Sequence, residues 1–185
     1  MKKTNRGALA IEEGLLRLVV VADTHSAPHP NAAELIAREK PAAILHAGDI
    51  GALSVLDDLA KIAPVHAVRG NIDEDVKDVP EALTLDLVDG GASRLKLLML
   101  HIAVNGPKLR ADARRRAQTE RADLVICGHS HVPFIGRDRD VAVFNPGSLG
   151  PRRFTLPILF GVLEVADGRV SLRHVDCETG QAWRP

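Results

Sequence analysis

The chain has 185 residues, 45% hydrophobic and only 3% aromatic, so its core must be built from Leu, Val, Ile and Ala. Its formal net charge is zero, which argues against non-specific affinity for nucleic acid or an anionic membrane surface. The two cysteines, Cys127 and Cys177, stand outside any CxxC spacing, so a disulfide framework is not expected and a reducing cytoplasm is the simpler location. No run of about 18 apolar residues is present to form a transmembrane helix.

Met1 to Gly14 is charged and mixed, and Ala8 to Ile11 is too short for the apolar stretch of a secretory signal. It is expected to be a loosely ordered extension, with residues 15–185 forming a single domain. Arg17 to Ala22 is continuous and β-branched, as a buried strand should be, and ends in Asp23-Thr24-His25. Asn31 can cap a helix through Arg38, which Pro41 stops. Ala42 to His46 reads as a strand ending in Ala47-Gly48-Asp49, Leu53 to Lys61 as an amphipathic helix, and Val65 to Val68 as a strand ending in Arg69-Gly70-Asn71. Leu83 to Val88 and Arg94 to Leu100 form a hairpin around Asp89-Gly90-Gly91, and the second run ends at His101. Lys108 to Arg121 reads as a basic helix. Asp123 to Ile126 is a strand leading to Cys127-Gly128-His129-Ser130-His131, and Val141 to Phe144 leads to Asn145-Pro146-Gly147-Ser148. Ile158 to Val165 and Val170 to Val175 close the chain around a turn at Asp167-Gly168.

Strands that alternate with helices early and form hairpins late point to a mixed α/β sheet system covered by helices. Ligands gather at the carboxyl ends of the strands in such folds. The polar clusters fall there: Asp23, His25, Asp49, Asn71, His101, His129 and His131. Carboxylate, amide and imidazole together suit divalent transition metals. Seven donors exceed the need of one tetrahedral site and match two ions, about 3.5–4 Å apart, that clamp a phosphoryl group. In Asp23-x-His25 and His129-x-His131 an extended backbone would send both side chains the same way. Gly48, Gly70 and Gly128 each precede a candidate ligand, where a side chain would crowd the site. The bland alternative is that Asp49 caps the following helix and Asn71 makes an Asx-turn.

The ordered series Asp-x-His, Gly-Asp, Gly-Asn, His and Gly-His-x-His resembles the calcineurin-like metallophosphoesterase superfamily. Arg69-Gly70-Asn71-Ile72-Asp73 and Asn145-Pro146-Gly147-Ser148 resemble its small bacterial and archaeal phosphodiesterase branch, which is related to the retromer scaffold subunit. The resemblance runs from Leu16 to Arg173. It implies a four-layer αββα sandwich with the metal site at one edge. By the same resemblance Asp23, His25 and His131 would hold one divalent ion, and Asn71, His101 and His129 the other. Asp49 would bridge them, and Asp49, Asn71 and His101 would serve catalysis directly. The implied activity is a dinuclear phosphodiesterase acting on a small phosphoester, in which a metal-bound hydroxide attacks phosphorus in line. Mn is the favoured ion, with Fe, Zn or Ni as alternatives. A scaffold that binds a protein partner, and a phosphomonoesterase, remain alternatives.

Two positions depart from the family's pattern. Ile72 stands where many members carry a His that helps protonate the leaving group, and Ile102 stands where Gly usually follows the strand histidine. His46, His66 and His174 read as structural and His29 as a solvated loop residue. Cys127 reads as a buried small residue and Arg114-Arg115-Arg116 as a solvated helix face. Arg152 and Arg153 could pair with a substrate phosphate or simply face water. Exposed strands near the C-terminus could pair between subunits, giving a homo-oligomer.

Overall fold

The computed structural model describes residues 4–73 and 75–184. Its first half contains β1 (Asn5–Ala10), β2 (Leu15–Val21), α1 (Ala32–Arg38), β3 (Ala43–His46), α2 (Ser54–Ala60), β4 (Val65–Ala67), β5 (Ala82–Asp89) and β6 (Ala92–Leu100). The second half contains β7 (Val104–Asn105), β8 (Lys108–Leu109), α3 (Ala111–Glu120), β9 (Leu124–Ile126), β10 (Phe134–Asp138), β11 (Val141–Asn145), β12 (Leu159–Ala166), β13 (Arg169–Asp176) and β14 (Ala182–Trp183). One mixed sheet runs β1-β5-β6-β9-β11-β10, a second runs β14-β13-β12-β2-β3-β4, and β7 and β8 form a small hairpin.

The period of two in each strand decides the layering. On β2, Leu16, Leu18 and Val20 face a core shared with Leu85, Leu97, Met99 and Ile126 of the other sheet. Val19 and Val21 face the opposite way, against Ile36 of α1 and Leu59 of α2. On β6, Leu97 and Met99 face the shared core, whereas Leu98 and Leu100 pack on Ala113 and Ala117 of α3. A helix layer, two sheets and a second helix layer result, which is the αββα sandwich. Full burial of one Val or Leu is worth about 1.5–3 kcal/mol. The unbroken run Leu18 to Val21, fully buried on both faces, therefore makes β2 a principal anchor of the fold.

Three expectations need correction, and one strand was not foreseen. The segment before Gly14 is not loose: β1 pairs in parallel with β5 over all six of its residues. Ile11 joins the shared core, and Arg6 pairs with Glu120 of α3. The edge of β5 offers unpaired backbone groups that this short segment satisfies. Residues 1–3 of that segment lie outside the described residues. The basic helix begins at Ala111 rather than Lys108, because Lys108 and Leu109 pair back on Val104 and Asn105 across Gly106-Pro107. Asn31 occupies the helix N-cap position without a capping bond; its side chain donates to the Cys177 carbonyl. The edge strand β10, with its polar-interrupted sequence FIGRD, escaped the sequence pattern.

β2, β3 and β4 run parallel in one sheet, and β6, β9 and β11 run parallel in the other. The loops after β2, β3 and β4 meet those after β6 and β9 along one edge of the sandwich. Two cross-sheet hydrogen bonds fix that meeting: the His101 ring to the Ala47 carbonyl, and the His129 N–H to the Asp23 carboxylate. Among the described residues no helix is long and apolar enough to cross a membrane.

Candidate metal centre

The seven candidate side chains converge on this edge, and five of them sit on left-handed backbone. Asp23, His25, Asp49, His129 and His131 have φ of 56°, 45°, 54°, 67° and 59°. An L-residue in that region costs roughly 1–2 kcal/mol, and such strain concentrates at functional sites. The expectation that an extended backbone aims Asp23 and His25, or His129 and His131, in one direction is therefore corrected. Each strand end curls through a left-handed turn, and the turns bring the donors inward. The chain pins them with backbone bonds: Asp23 N–H to Gly48 O, His25 N–H to Asp49 O, and Ser26 N–H to Ile50 O.

Two donor groups form, each with its ligand atoms within 4.8 Å of one another: Asp23, His25 and His131, and Asp49, His101 and His129. Asn71 adds its amide oxygen to the second group, 3.2 Å from His101 Nε2 and 2.9 Å from His129 Nδ1. His101 donates its Nδ1–H to the Ala47 carbonyl at 2.8 Å, so Nε2 carries the lone pair. That lone pair faces Asp49 Oδ1 at 3.1 Å and Asn71 Oδ1 at 3.2 Å. Three acceptors aimed at one point need a shared cation, either a proton or a metal ion. In the first group, His131 Nε2 lies 3.3 Å from Asp23 Oδ1 and 3.3 Å from His25 Nε2, while its buried Nδ1 has no hydrogen-bond partner. The nitrogen and oxygen donors of both groups suit a divalent transition metal.

The electrostatics of the metal-free groups follow from this geometry. Burial lowers the pKa of His25 and of His129, so both rings favour the neutral form that binds a cation. Burial opposes charge on His101 as well and is the largest single influence, but the hydrogen bond to Asp49, the charges of Asp23 and Asp49 and the Ala47 carbonyl together outweigh it and raise its pKa. For Asp49, burial works upward, and the hydrogen bond and charge of His101 together with the Ile72 N–H bring the carboxyl down to about 2.

The glycines before the ligands are sterically required. A Cβ on Gly70 would lie 2.0 Å from Asp49 Oδ1 and 2.2 Å from Asp49 N. On Gly48 it would lie 2.7 Å from His101 Nδ1, and on Gly128 2.8 Å from Asp23 Oδ2. Gly70→Ala is expected to displace Asp49 and empty the second donor group while far-UV circular dichroism stays native. Elemental analysis checks this; a full metal complement in that variant would show that the close approach does not constrain the site.

Several residues support the site without being candidate ligands, and for Asp73 the sequence suggested no separate role. Buried Asp73 accepts the backbone N–H of Ile50, Gly51 and Gly70, tying the Asp49 turn to the Asn71 turn. Its only signal was its place two residues after Asn71. Asn145 donates to the Gly128 carbonyl, and the Ser148 hydroxyl donates to the Asp23 carbonyl, so their loop braces two ligand turns. His46 accepts the Gly48 N–H on Nδ1 and meets the Thr24 hydroxyl through Nε2; full burial drives its pKa down to about 4, as suits a structural histidine. His174 meets the Asn145 carbonyl and is buried as well. Cys127 and Cys177 are free, buried thiols, and burial pushes the pKa of each up to about 12. The arginine run is only partly solvated: Arg114 pairs with Asp138, while Arg116 lines a cavity of about 570 Å³ beside Asn71, His101 and Ile102.

The calcineurin-like phosphoesterase superfamily domain matches residues 16–168, which takes in every candidate ligand. The chain belongs to the calcineurin-like phosphoesterase superfamily. Within this superfamily it is 35% identical over 106 residues to a probable metallophosphoesterase of Methanocaldococcus jannaschii. That match covers 57% of this chain and 52% of the relative, so it spans about half of the relative's length. Solved calcineurin-like folds superpose closely. Vacuolar protein sorting 29 of Cryptosporidium parvum does so with TM-score 0.74 at 16% identity, over 92% of this chain and 96% of that one. An archaeal phosphodiesterase does so with TM-score 0.65 at 21% identity, over 86% of this chain and 100% of that one. At those identities the likeness shows the fold.

Proposed function

We propose that this calcineurin-like protein is a dinuclear metal-dependent phosphodiesterase. The observation that carries the reading is the placement of Asp49. Its Oδ1 lies 3.1 Å from His101 Nε2 and its Oδ2 lies 3.9 Å from His25 Nε2, so one carboxylate serves both donor groups. Asp23, His25 and His131 hold one divalent ion, Asn71, His101 and His129 hold the other, and Asp49 is shared. Mn is the favoured ion, and Fe, Zn and Ni fit the same donors. When bound, the two ions lower the pKa of an attacking water and offset charge on the phosphoryl oxygens.

The chain's own groups set the rest. The Ala47 carbonyl fixes the His101 tautomer and leaves Nε2 as the ligand atom. The Ile72 N–H holds Asp49 Oδ1 in place at 3.3 Å. The Ile72 side chain, 48% exposed, carries no proton to give a leaving alkoxide. Diesters with good leaving groups are therefore the favoured substrates, and p-nitrophenyl leaving groups should far outpace alkyl ones. The exposed apolar side chains of Ile72 and Ile102 also favour a second reading, a scaffold that binds a protein partner.

The deciding experiment is metal analysis paired with hydrolysis of bis(p-nitrophenyl) phosphate before and after chelation and Mn return. Two ions per chain with Mn-restored turnover, and slower turnover of the monoester p-nitrophenyl phosphate, support the phosphodiesterase. Absence of turnover in a fully loaded protein favours the scaffold.

The pH dependence has a definite sign. A protonated imidazole cannot bind a cation. His101 has a raised pKa and protonates first as the pH falls; His25 and His129, with lowered values, follow. Mn affinity should fall in acid in two steps, with the Asp49–His101–His129 group failing before the Asp23–His25–His131 group. Mn titration followed by electron paramagnetic resonance at a series of pH values reads this directly. Loss of both ions in a single step would contradict the ordering.

A further inference from the structure

The loop from Pro151 to Pro157 presents two neighbouring arginines whose side chains are used differently. Arg152 is fully engaged: one guanidinium nitrogen donates to the Leu156 carbonyl and another pairs with Glu178. These bonds close the loop on itself and fasten it to the chain after β13. The preceding residues press on the metal centre. The Gly150 N–H donates to the Asp23 carbonyl, and a Cβ on Gly150 would lie 2.4 Å from that oxygen. Arg153 is exposed and pairs with no carboxylate among the described residues; its guanidinium lies 3.4 Å from Nε2 of the candidate ligand His25.

A guanidinium held beside a site built for two divalent cations is repelled by its occupants unless an anion lies between them. Once Nε2 of His25 serves a metal, its lone pair is no longer available to Arg153, and the arginine donors turn toward whatever anion the ions hold. The next residue carries a second signal. Phe154 is 92% exposed and has φ of 53°, a left-handed conformation that a bulky aromatic residue rarely adopts. Strain of this kind is characteristic of ligand clamps. A solvent-exposed ring in the residue after Arg153 offers a stacking surface to a planar group.

Resting on the phosphodiesterase reading above, we propose that this loop is the substrate-recognition element. Arg153 donates to a non-bridging phosphoryl oxygen of the substrate on the His25 side of the site. Phe154 stacks on an aromatic arm of the ester. The substrate class is thereby a phosphodiester with a planar aromatic substituent.

Two probes with the same charged head separate the roles: phenylphosphonate and methylphosphonate, titrated calorimetrically into Mn-loaded protein. Arg153→Gln should weaken both by about ten- to a hundredfold, the range for a charge-assisted hydrogen bond, with metal content unchanged. Arg153→Lys, which keeps the charge but loses the fork, should fall between it and the wild type. Phe154→Ala should weaken phenylphosphonate alone, by about three- to tenfold. Wild-type affinity for both probes in Arg153→Gln overturns the arginine's role, and equal effects of Phe154→Ala on both overturn the stacking role. If loaded wild-type protein binds neither probe and hydrolyses no diester, the phosphodiesterase reading fails and this inference falls with it. Diester turnover that persists in the wild type while Arg153→Gln binds normally overturns the inference alone.

Discussion

Asp49→Asn is expected to lower phosphodiester turnover by on the order of a thousandfold or more while the protein stays folded, because in the proposed dinuclear site the shared carboxylate and its charge would be lost together. Asparagine is the informative replacement. It tolerates the left-handed backbone that Asp49 adopts at φ 54°, whereas alanine would add conformational strain of about 1 kcal/mol to any functional effect. The amide keeps one oxygen and loses the charge. It also withdraws the carboxylate that raises the pKa of His101, leaving that ring easier to deprotonate but without its anionic partner. Steady-state kinetics on bis(p-nitrophenyl) phosphate, read beside metal stoichiometry, check the result. Turnover within tenfold of wild type would remove Asp49 from the bridging position.

Asp73→Ala is expected to destabilise the protein by about 2–4 kcal/mol, since three backbone N–H donors lose a charged acceptor at once. Asp73 is 2% exposed and the Ile50 N–H it accepts belongs to a fully buried residue, so water cannot readily replace the carboxylate. The same change frees the Asn71 turn from the Asp49 turn. Mn affinity should then drop about ten- to a hundredfold, as for loss of a group that orients metal ligands. Urea unfolding of metal-free protein isolates the first effect, and Mn titration of folded protein reads the second. Unchanged values in both measurements would show that the Asp73 bonds are incidental.

The sandwich was legible because its central strands are apolar on both faces. Runs such as RLVVVA and LKLLML have no other stable arrangement than a sheet covered on each side. The strand-end position of Asp23, Asp49, Asn71, His101 and His129 was legible for the same reason, since each follows such a run. What was hidden depended on backbone twist and on partners far along the chain. The left-handed turns at Asp23, His25, His129 and His131 have only a weak signature, since Asp and His favour positive φ more than other side chains do but adopt it rarely. Asp73 was legible only as the last residue of a motif; its grip on the Ile50, Gly51 and Gly70 N–H groups depends on two loops meeting in the fold. β1, with the sequence NRGALA, has only one large apolar side chain and gains its order from the edge of β5, more than seventy residues away. Arg152 and Arg153 were indistinguishable as a pair; the Leu156 carbonyl and Glu178, which engage Arg152, and His25, which lies beside Arg153, separate them.

Both donor groups draw on both sheets. Asp23 and His25 follow β2 while their partner His131 follows β9; Asp49 follows β3 while His101 and His129 follow β6 and β9. In the proposed dinuclear site, ion occupancy would be a clasp across the seam of the sandwich, and separation of the two sheets would dismantle both donor sets together. By mass action the folded state gains free energy with each ion it holds, about 2.7 kcal/mol at a hundredfold excess over the dissociation constant. On that proposal the melting temperature is expected to rise with added metal and fall on chelation, so that one scan reads the stability of the fold and the loading of the site together.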